Sequence, residues 1–300
     1  MRDIHMTKLP ESIWQDVGFQ KVWKTLGWIV VVLTISAFWY DFYIWNVDTG
    51  DSGYSSEEVG GGSTEDYGYA GCDVAGITLH GDLYTYTLPS DPETGGTPDQ
   101  ASAEDITYQI QMAELEPDIK GILLEIDSYG GSPVAAEEVA IALKNATKPV
   151  VAQIREAGLS AAYWAATGAD VIFASALSDV GSISVTQSYI DESKLNEKEG
   201  YTYNNLSTGK YKDMLNPEKP LTIEEQALLM RDLQAIHEAF VKVVAENRGL
   251  DINKVRALAD GSSMLGSMAL ENGLIDRIGG YKEVENYFAE QIGREPIVCF

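Results

Sequence analysis

The segment Gly121-Ile-Leu-Leu-Glu-Ile126 is apolar at almost every position. A strand with one wet face alternates apolar and polar residues, whereas a near-continuous run belongs to a sheet covered on both faces. The segments after it have the rhythm of a parallel sheet. A Gly-Gly turn leads to Pro133–Asn145, which reads as a helix with its proline in the first turn. Val150–Ile154 reads as the next strand and Ser160–Gly168 as a helix of small residues. Val171–Ser175 and Ser182–Val185 read as short strands. Upstream, Val74–His80 is expected to be the first strand, Leu88–Ala103 a loop and Glu104–Leu115 a helix. Downstream, Thr222–Asn247 reads as a long amphipathic helix, with Thr222 and Glu225 at capping-box spacing, and Ile252–Ala259 as another helix. The fold class is therefore α/β.

Charge divides the chain. Its 46 Asp and Glu outnumber 21 Lys and Arg, for a net charge of −25. Such a surface repels phosphates, which argues against nucleic acid as a partner. Residues 25 to 119 contain no Lys or Arg, whereas residues 41 to 119 contain 17 Asp or Glu. Just before this stretch, residues 25 to 45 are apolar apart from Asp41, and a helix of that length spans the roughly 30 Å of a hydrocarbon core. Trp28, Trp39, Tyr40, Tyr43 and Trp45 supply interfacial aromatics. Arg2, Lys8, Lys21 and Lys24 precede the run, so the positive-inside rule places the N-terminus in the cytoplasm and the remainder outside. The expected organisation is a cytoplasmic segment 1–24, a transmembrane anchor 25–45 in contact with lipid, an acidic Gly/Ser-rich linker 46–73 and an extracytoplasmic domain 74–300. The aromatic end of the run is a poor signal-peptidase site, which argues against a cleaved leader. Two cysteines, Cys72 and Cys299, could pair in such a compartment; the sequence leaves this open.

Candidate reacting groups lie in two segments. Ser160 stands in Ala157-Gly-Leu-Ser-Ala-Ala-Tyr-Trp164, where Leu159 and the alanines bury the helix and leave a hydroxyl at its mouth. The Ala161 amide falls in the first turn, whose N–H groups have no helical acceptor and can face a developing oxyanion. A second donor is expected from the Gly130-Gly131 turn in Asp127-Ser-Tyr-Gly-Gly-Ser-Pro133. A serine needs a base. Of the three histidines, His5 precedes the apolar run, His80 ends the first strand and His237 lies on the long helix. A neutral lysine can serve instead, and Lys212, between Tyr211 and Met214-Leu215, fits better than lysines in more charged segments.

Together these segments resemble the signal peptide peptidase A family, the S49 serine–lysine membrane proteases, in its short single-repeat form. The resemblance runs from about Val74 to Phe288. Ala157–Trp164 is similar to the nucleophile segment, and Ser207-Thr-Gly-Lys-Tyr-Lys-Asp-Met-Leu-Asn-Pro217 to the lysine segment. Asp179-Val-Gly-Ser-Ile-Ser-Val185 resembles the segment whose serine, here Ser182, orients the lysine. The resemblance implies a spiral of ββα units like that of caseinolytic proteases and crotonases. It implies a serine endopeptidase with Ser160 as nucleophile, Lys212 as base and no cofactor, acting on residual signal peptides or membrane-associated segments. It also implies a homo-oligomer in which Ser160 of one subunit faces Lys212 of its neighbour. Two departures stand out. Ala161-Ala162 replace the glycines that commonly follow the serine, and Tyr129 replaces a proline in the Gly-Gly turn. Two other functions share parts of this pattern: a catalytically silent membrane scaffold and a crotonase-like acyl-coenzyme A enzyme. A scaffold need not keep Ser160, Ser182 and Lys212 together, and a nucleotide site would want the basic patch that is missing here.

Overall fold

In the computed structural model, a central sheet has the order β10-β1-β4-β5-β6-β9, with every neighbouring pair parallel. The structure describes residue 69, residues 71–89 and residues 99–300. The expected cytoplasmic segment and anchor, and nearly all of the linker, lie outside these residues. Among the described residues, no helix is long and apolar enough to cross a membrane.

The strands are β1 Val74–His80, β2 Asp82–Tyr84, β3 Gln100–Ser102, β4 Gly121–Ser128, β5 Val150–Leu159, β6 Val171–Ala174, β7 Asp179–Gly181, β8 Ser263–Leu265, β9 Arg277–Ile278 and β10 Val298–Cys299. The helices are α1 Ala103–Leu115, α2 Pro133–Asn145, α3 Ala161–Ala166, α4 Ser193–Glu199, α5 Ile223–Arg248, α6 Ile252–Leu258, α7 Gly266–Asn272 and α8 Tyr281–Ile292. The continuous apolar character of β4 has the expected cause. Ile122, Leu124 and Ile126 join the larger core, whereas Leu123 packs on the other face with Val74, Val151, Phe173 and Val284 and Phe288 of α8.

β5 positions the site. Its first half pairs with β6, from Val151↔Val171 to Ile154↔Ala174. Its second half leaves β6 and pairs with β7, from Ala157↔Asp179 to Leu159↔Gly181. The ladder to β4 shifts register between Ile126 and Ser128. The strand thus changes partners midway and carries Leu159 to the Gly-Gly turn that comes after β4.

Three sequence expectations are corrected. The strand expected at Ser182–Val185 does not form; β7 ends at Gly181, where the backbone turns through φ +101° and then +51° at Ser182. Those positive values break the ladder. Part of the expected 88–103 loop is β3, which pairs in parallel with β2. The strand expected to end at Ile154 runs on to Leu159.

α3 is buried along its whole length, and its small residues allow this. A Cβ on Gly168, just beyond its end, would fall 2.3 Å from the Ala140 carbonyl oxygen of α2. Tyr163 of α3 donates its hydroxyl to the Leu274 carbonyl at 2.7 Å, and burial pushes that phenol well above its ordinary value. α5 packs its C-terminal half into the core through Phe240, Val241, Val244 and Ala245, and Glu225 is buried in its first turn. The chain from 186 to 222 is largely exposed and carries Ile190, Tyr201 and the fully solvated Leu206.

Cys72 and Cys299 form a disulfide, with their Cα atoms 6.0 Å apart. It fastens β10 beside β1, in register Val74↔Val298 and Ala75↔Cys299.

Candidate active site

Ser160 occupies the junction between β5 and α3 with φ 52° and ψ −122°. A residue with a side chain rarely adopts this geometry, which costs on the order of 1–3 kcal/mol and persists only where its surroundings enforce it. Two hydrogen bonds do so here. The Ser160 N–H donates to the Gly181 carbonyl of β7 at 2.8 Å, and the Trp164 N–H donates to the Ser160 carbonyl at 3.0 Å. The sharp strand-to-helix turn holds the hydroxyl at the opening of α3.

The Gly-Gly turn lies against it. A Cβ on Gly130 would come within 2.9 Å of the Ser160 Cβ and 3.3 Å of its Oγ. Gly130 and Gly131 have φ of +127° and +146°. β2 clamps the turn from its other side: Leu83 N–H donates to the Gly130 carbonyl at 2.8 Å, and Ser132 N–H donates to the Leu83 carbonyl at 2.7 Å. The Gly130 N–H is engaged, donating to Ser128 Oγ at 3.2 Å. The Gly131 and Ala161 N–H groups make no hydrogen bond among the described residues. Two unengaged backbone donors thus flank the serine, the arrangement that stabilises a tetrahedral oxyanion.

A cleft of about 290 Å³ opens here, lined by Tyr129, Gly131, Ser160, Ala161, Trp164 and Phe240 among others. Trp164 stacks on Phe240 with ring centroids 4.9 Å apart, so the floor is aromatic. Pro133, Ser184, Val185, Thr186 and Ile236 complete the lining. The aromatic floor and Ser184 were not singled out from the sequence. The spacing of Trp164 four residues after Ser160 is the signal that places it one helical turn along the same face.

The remaining candidates lie elsewhere within a single chain. Ser182 donates its hydroxyl to the Gly261 carbonyl at 3.1 Å, and its N–H donates to the Ser262 carbonyl at 3.1 Å. Lys212 is exposed in the turn after Gly209 and does not line the cleft. Asp127, one of the residues of the turn segment, is tied to β5, where its Oδ1 accepts the Ala157 N–H at 3.2 Å.

The model of peptidase family S49 matches residues 142–294, just over half of the chain. The chain belongs to peptidase family S49. Relatives point the same way. The chain is 33% identical over 184 residues, 60% of its length, to a protein of Enterococcus faecium named "Putative signal peptide peptidase SppA", of which the match covers 54%. It is 33% identical over 181 residues to the chloroplastic serine protease SPPA of Arabidopsis thaliana, covering 59% of this chain and 27% of that one. It is 28% identical over 197 residues to Protease 4 of Haemophilus influenzae, covering 65% and 32% respectively. The chain thus spans about half the length of the first relative and about a third or less of the other two. For an S49 chain, the strained serine beside two free backbone donors is the feature to explain.

Proposed function

We propose that this chain is a membrane-anchored serine endopeptidase that cleaves residual signal peptides or membrane-associated protein segments on the outer side of a membrane. The observation that carries the reading is the Ser160 turn, with φ 52° and the Gly131 and Ala161 N–H groups left open beside it. Ser160 Oγ attacks the scissile carbonyl carbon while a neutral lysine accepts its proton. The carbonyl oxygen becomes an anion and lies between the two backbone donors. The lysine then passes the proton to the leaving amine, the C–N bond breaks and an acyl-enzyme remains. Water, deprotonated by the same lysine, releases the acid and restores Ser160.

Lys212 is the proposed base, and a neighbouring copy supplies it. Two observations support this. Lys212 is absent from the cleft of its own chain, and the exposed 186–222 segment that carries it also exposes Ile190, Tyr201 and Leu206. Apolar side chains on a projecting segment are what a subunit contact would cover. Ser182, whose backbone leads on from the β7 residue that holds Ser160, is the proposed orienting group for the incoming lysine. The parallel stacking of β1, β4, β5 and β6 is compatible with a ββα spiral. The extracytoplasmic placement is supported by the charge asymmetry around residues 25–45 and by the Cys72–Cys299 disulfide, since such bonds persist in oxidising compartments.

A peptidyl phosphonate that traps activated serines tests the chemistry. Peptide mapping of the labelled full-length chain is expected to place the adduct on Ser160. Ser160→Ala should abolish it and Lys212→Ala should slow its formation. Absence of labelling, or an adduct at another serine, would overturn the assignment.

A further inference from the structure

Tyr129 stands in the turn that follows β4, and it is 67% exposed. A lone exposed aromatic is ordinary on a protein surface. Two observations set this one apart. It lines the same cleft as Ser160. Its backbone is also held on both sides. Ser128 is in register with Gly158 of β5, while Gly130 donates its N–H to Ser128 Oγ at 3.2 Å and accepts the Leu83 N–H at 2.8 Å. A fixed turn therefore presents the ring, and a tyrosine has only two side-chain torsions left to order against a ligand. Among the described residues, Tyr129 makes no hydrogen bond and no ring contact.

The cleft is aromatic at two depths. The stacked Trp164 and Phe240 are buried at its base, and Tyr129 is exposed at its rim. No charged side chain lines it among the described residues, although the chain carries a net charge of −25. The cleft therefore suits a neutral apolar side chain. An aliphatic occupant gains only from burial. An aromatic occupant gains in addition the offset or edge-on contacts that ring pairs favour. Gly131, whose N–H is one of the two open donors, lies two residues from Tyr129 and lines the same cleft. A side chain held by Tyr129 thus belongs to the residue whose carbonyl lies at Ser160.

We propose that Tyr129 is a specificity-determining residue, which makes the site prefer an aromatic over an aliphatic side chain on the residue whose carbonyl Ser160 attacks. The occupant's ring lies between the rim ring of Tyr129 and the base formed by Trp164 and Phe240. This inference rests on the peptidase reading of Ser160 and adds to it the class of side chain selected.

Two phosphonate probes that differ only in this side chain test it, one built on N-acetyl-phenylalanine and the other on N-acetyl-leucine. Each reacts with the full-length chain in its native assembly, and peptide mapping follows the rate of adduct formation at Ser160. The phenylalanine probe should label wild type about fivefold faster than the leucine probe, the size of one aromatic pair. Tyr129→Leu keeps apolar bulk and removes the ring, so it should bring the two rates within about twofold of each other, as should Tyr129→Ala. Tyr129→Phe should keep the preference. The ratio of rates does not depend on how much of a variant is folded, and a change that merely disturbs the turn slows both probes alike. Equal labelling of wild type by the two probes, or a preference that survives Tyr129→Leu, overturns the role of Tyr129 and leaves the serine chemistry standing. No adduct at Ser160 with either probe overturns the peptidase reading, and the preference with it.

Discussion

Gly130 lies so close to Ser160 that a single added methyl would sit 2.9 Å from the serine Cβ. The contact explains why a glycine is needed there for a geometric reason beyond its positive φ of 127°. Gly130→Ala should displace the serine or swing the turn, and with it the Gly131 N–H. A displacement near 1 Å costs on the order of a hundredfold in rate. The expected result is a fall of about that size in kcat/KM on a peptide ester, with an unchanged circular dichroism spectrum. Near-normal activity would show that the turn does not shape the reacting geometry.

Much of this arrangement was legible in the sequence, for identifiable reasons. α2 begins at Pro133 and ends at Asn145 as read, because a proline with no N–H marks a first turn and Ala146 leaves the helical region. β1 also matches its expected span. The capping box foreseen at Thr222 and Glu225 is present at the start of α5. What was not legible depends on long-range partners. Arg155 to Leu159 carry no strong strand pattern, and they are extended because β7 is there to pair with them. The Ser182–Val185 segment looks like a strand in isolation but loses its ladder at two positive φ values. Gln100–Ser102 is a strand only because β2 lies beside it. At the site, Ser160 and the glycine turn were readable because each is local. The position of Lys212 relative to a serine was not, since Lys212 lies in an exposed segment and no local pattern fixes its distance from Ser160.

The capping box should give the protein a measurable acid limb. Glu225 receives Lys219 Nζ at 2.7 Å and the Thr222 N–H at 2.8 Å. The Lys219 hydrogen bond first, and then those from Thr222, hold its carboxyl down from 4.5 to about 2. Because the folded value lies below the unfolded one, this stabilisation is complete above about pH 4.5 and is lost as the pH falls through about 2. Glu225→Gln should therefore be less stable than wild type at neutral pH and converge with it near pH 2, read as urea midpoints across that window. Parallel curves at every pH would contradict the origin assigned to the shift.

Reduction should loosen the sheet edge. The Cys72–Cys299 bond joins residues 227 apart, and β10 adds only a two-residue ladder to β1. Asp73 supports the same corner, pairing with Arg294 and accepting the Ile297 N–H at 2.9 Å. Removing a native disulfide typically costs about 2–5 kcal/mol. Added reductant and the double replacement Cys72→Ser and Cys299→Ser should each lower the melting temperature, and to the same extent as one another. An unchanged melting temperature would mean that the ion pair and short ladder hold the corner unaided.

The serine and lysine are proposed to come from adjacent copies, and co-expression of two differently tagged inactive chains tests this most directly. Ser160→Ala and Lys212→Ala should each be inactive as pure assemblies. A mixed assembly isolated through both tags should regain activity wherever an intact Ser160 meets an intact Lys212 from its neighbour, roughly a quarter of the wild-type sites for random head-to-tail mixing. Mixed assemblies as inactive as either parent, with oligomeric state unchanged, would contradict the shared site.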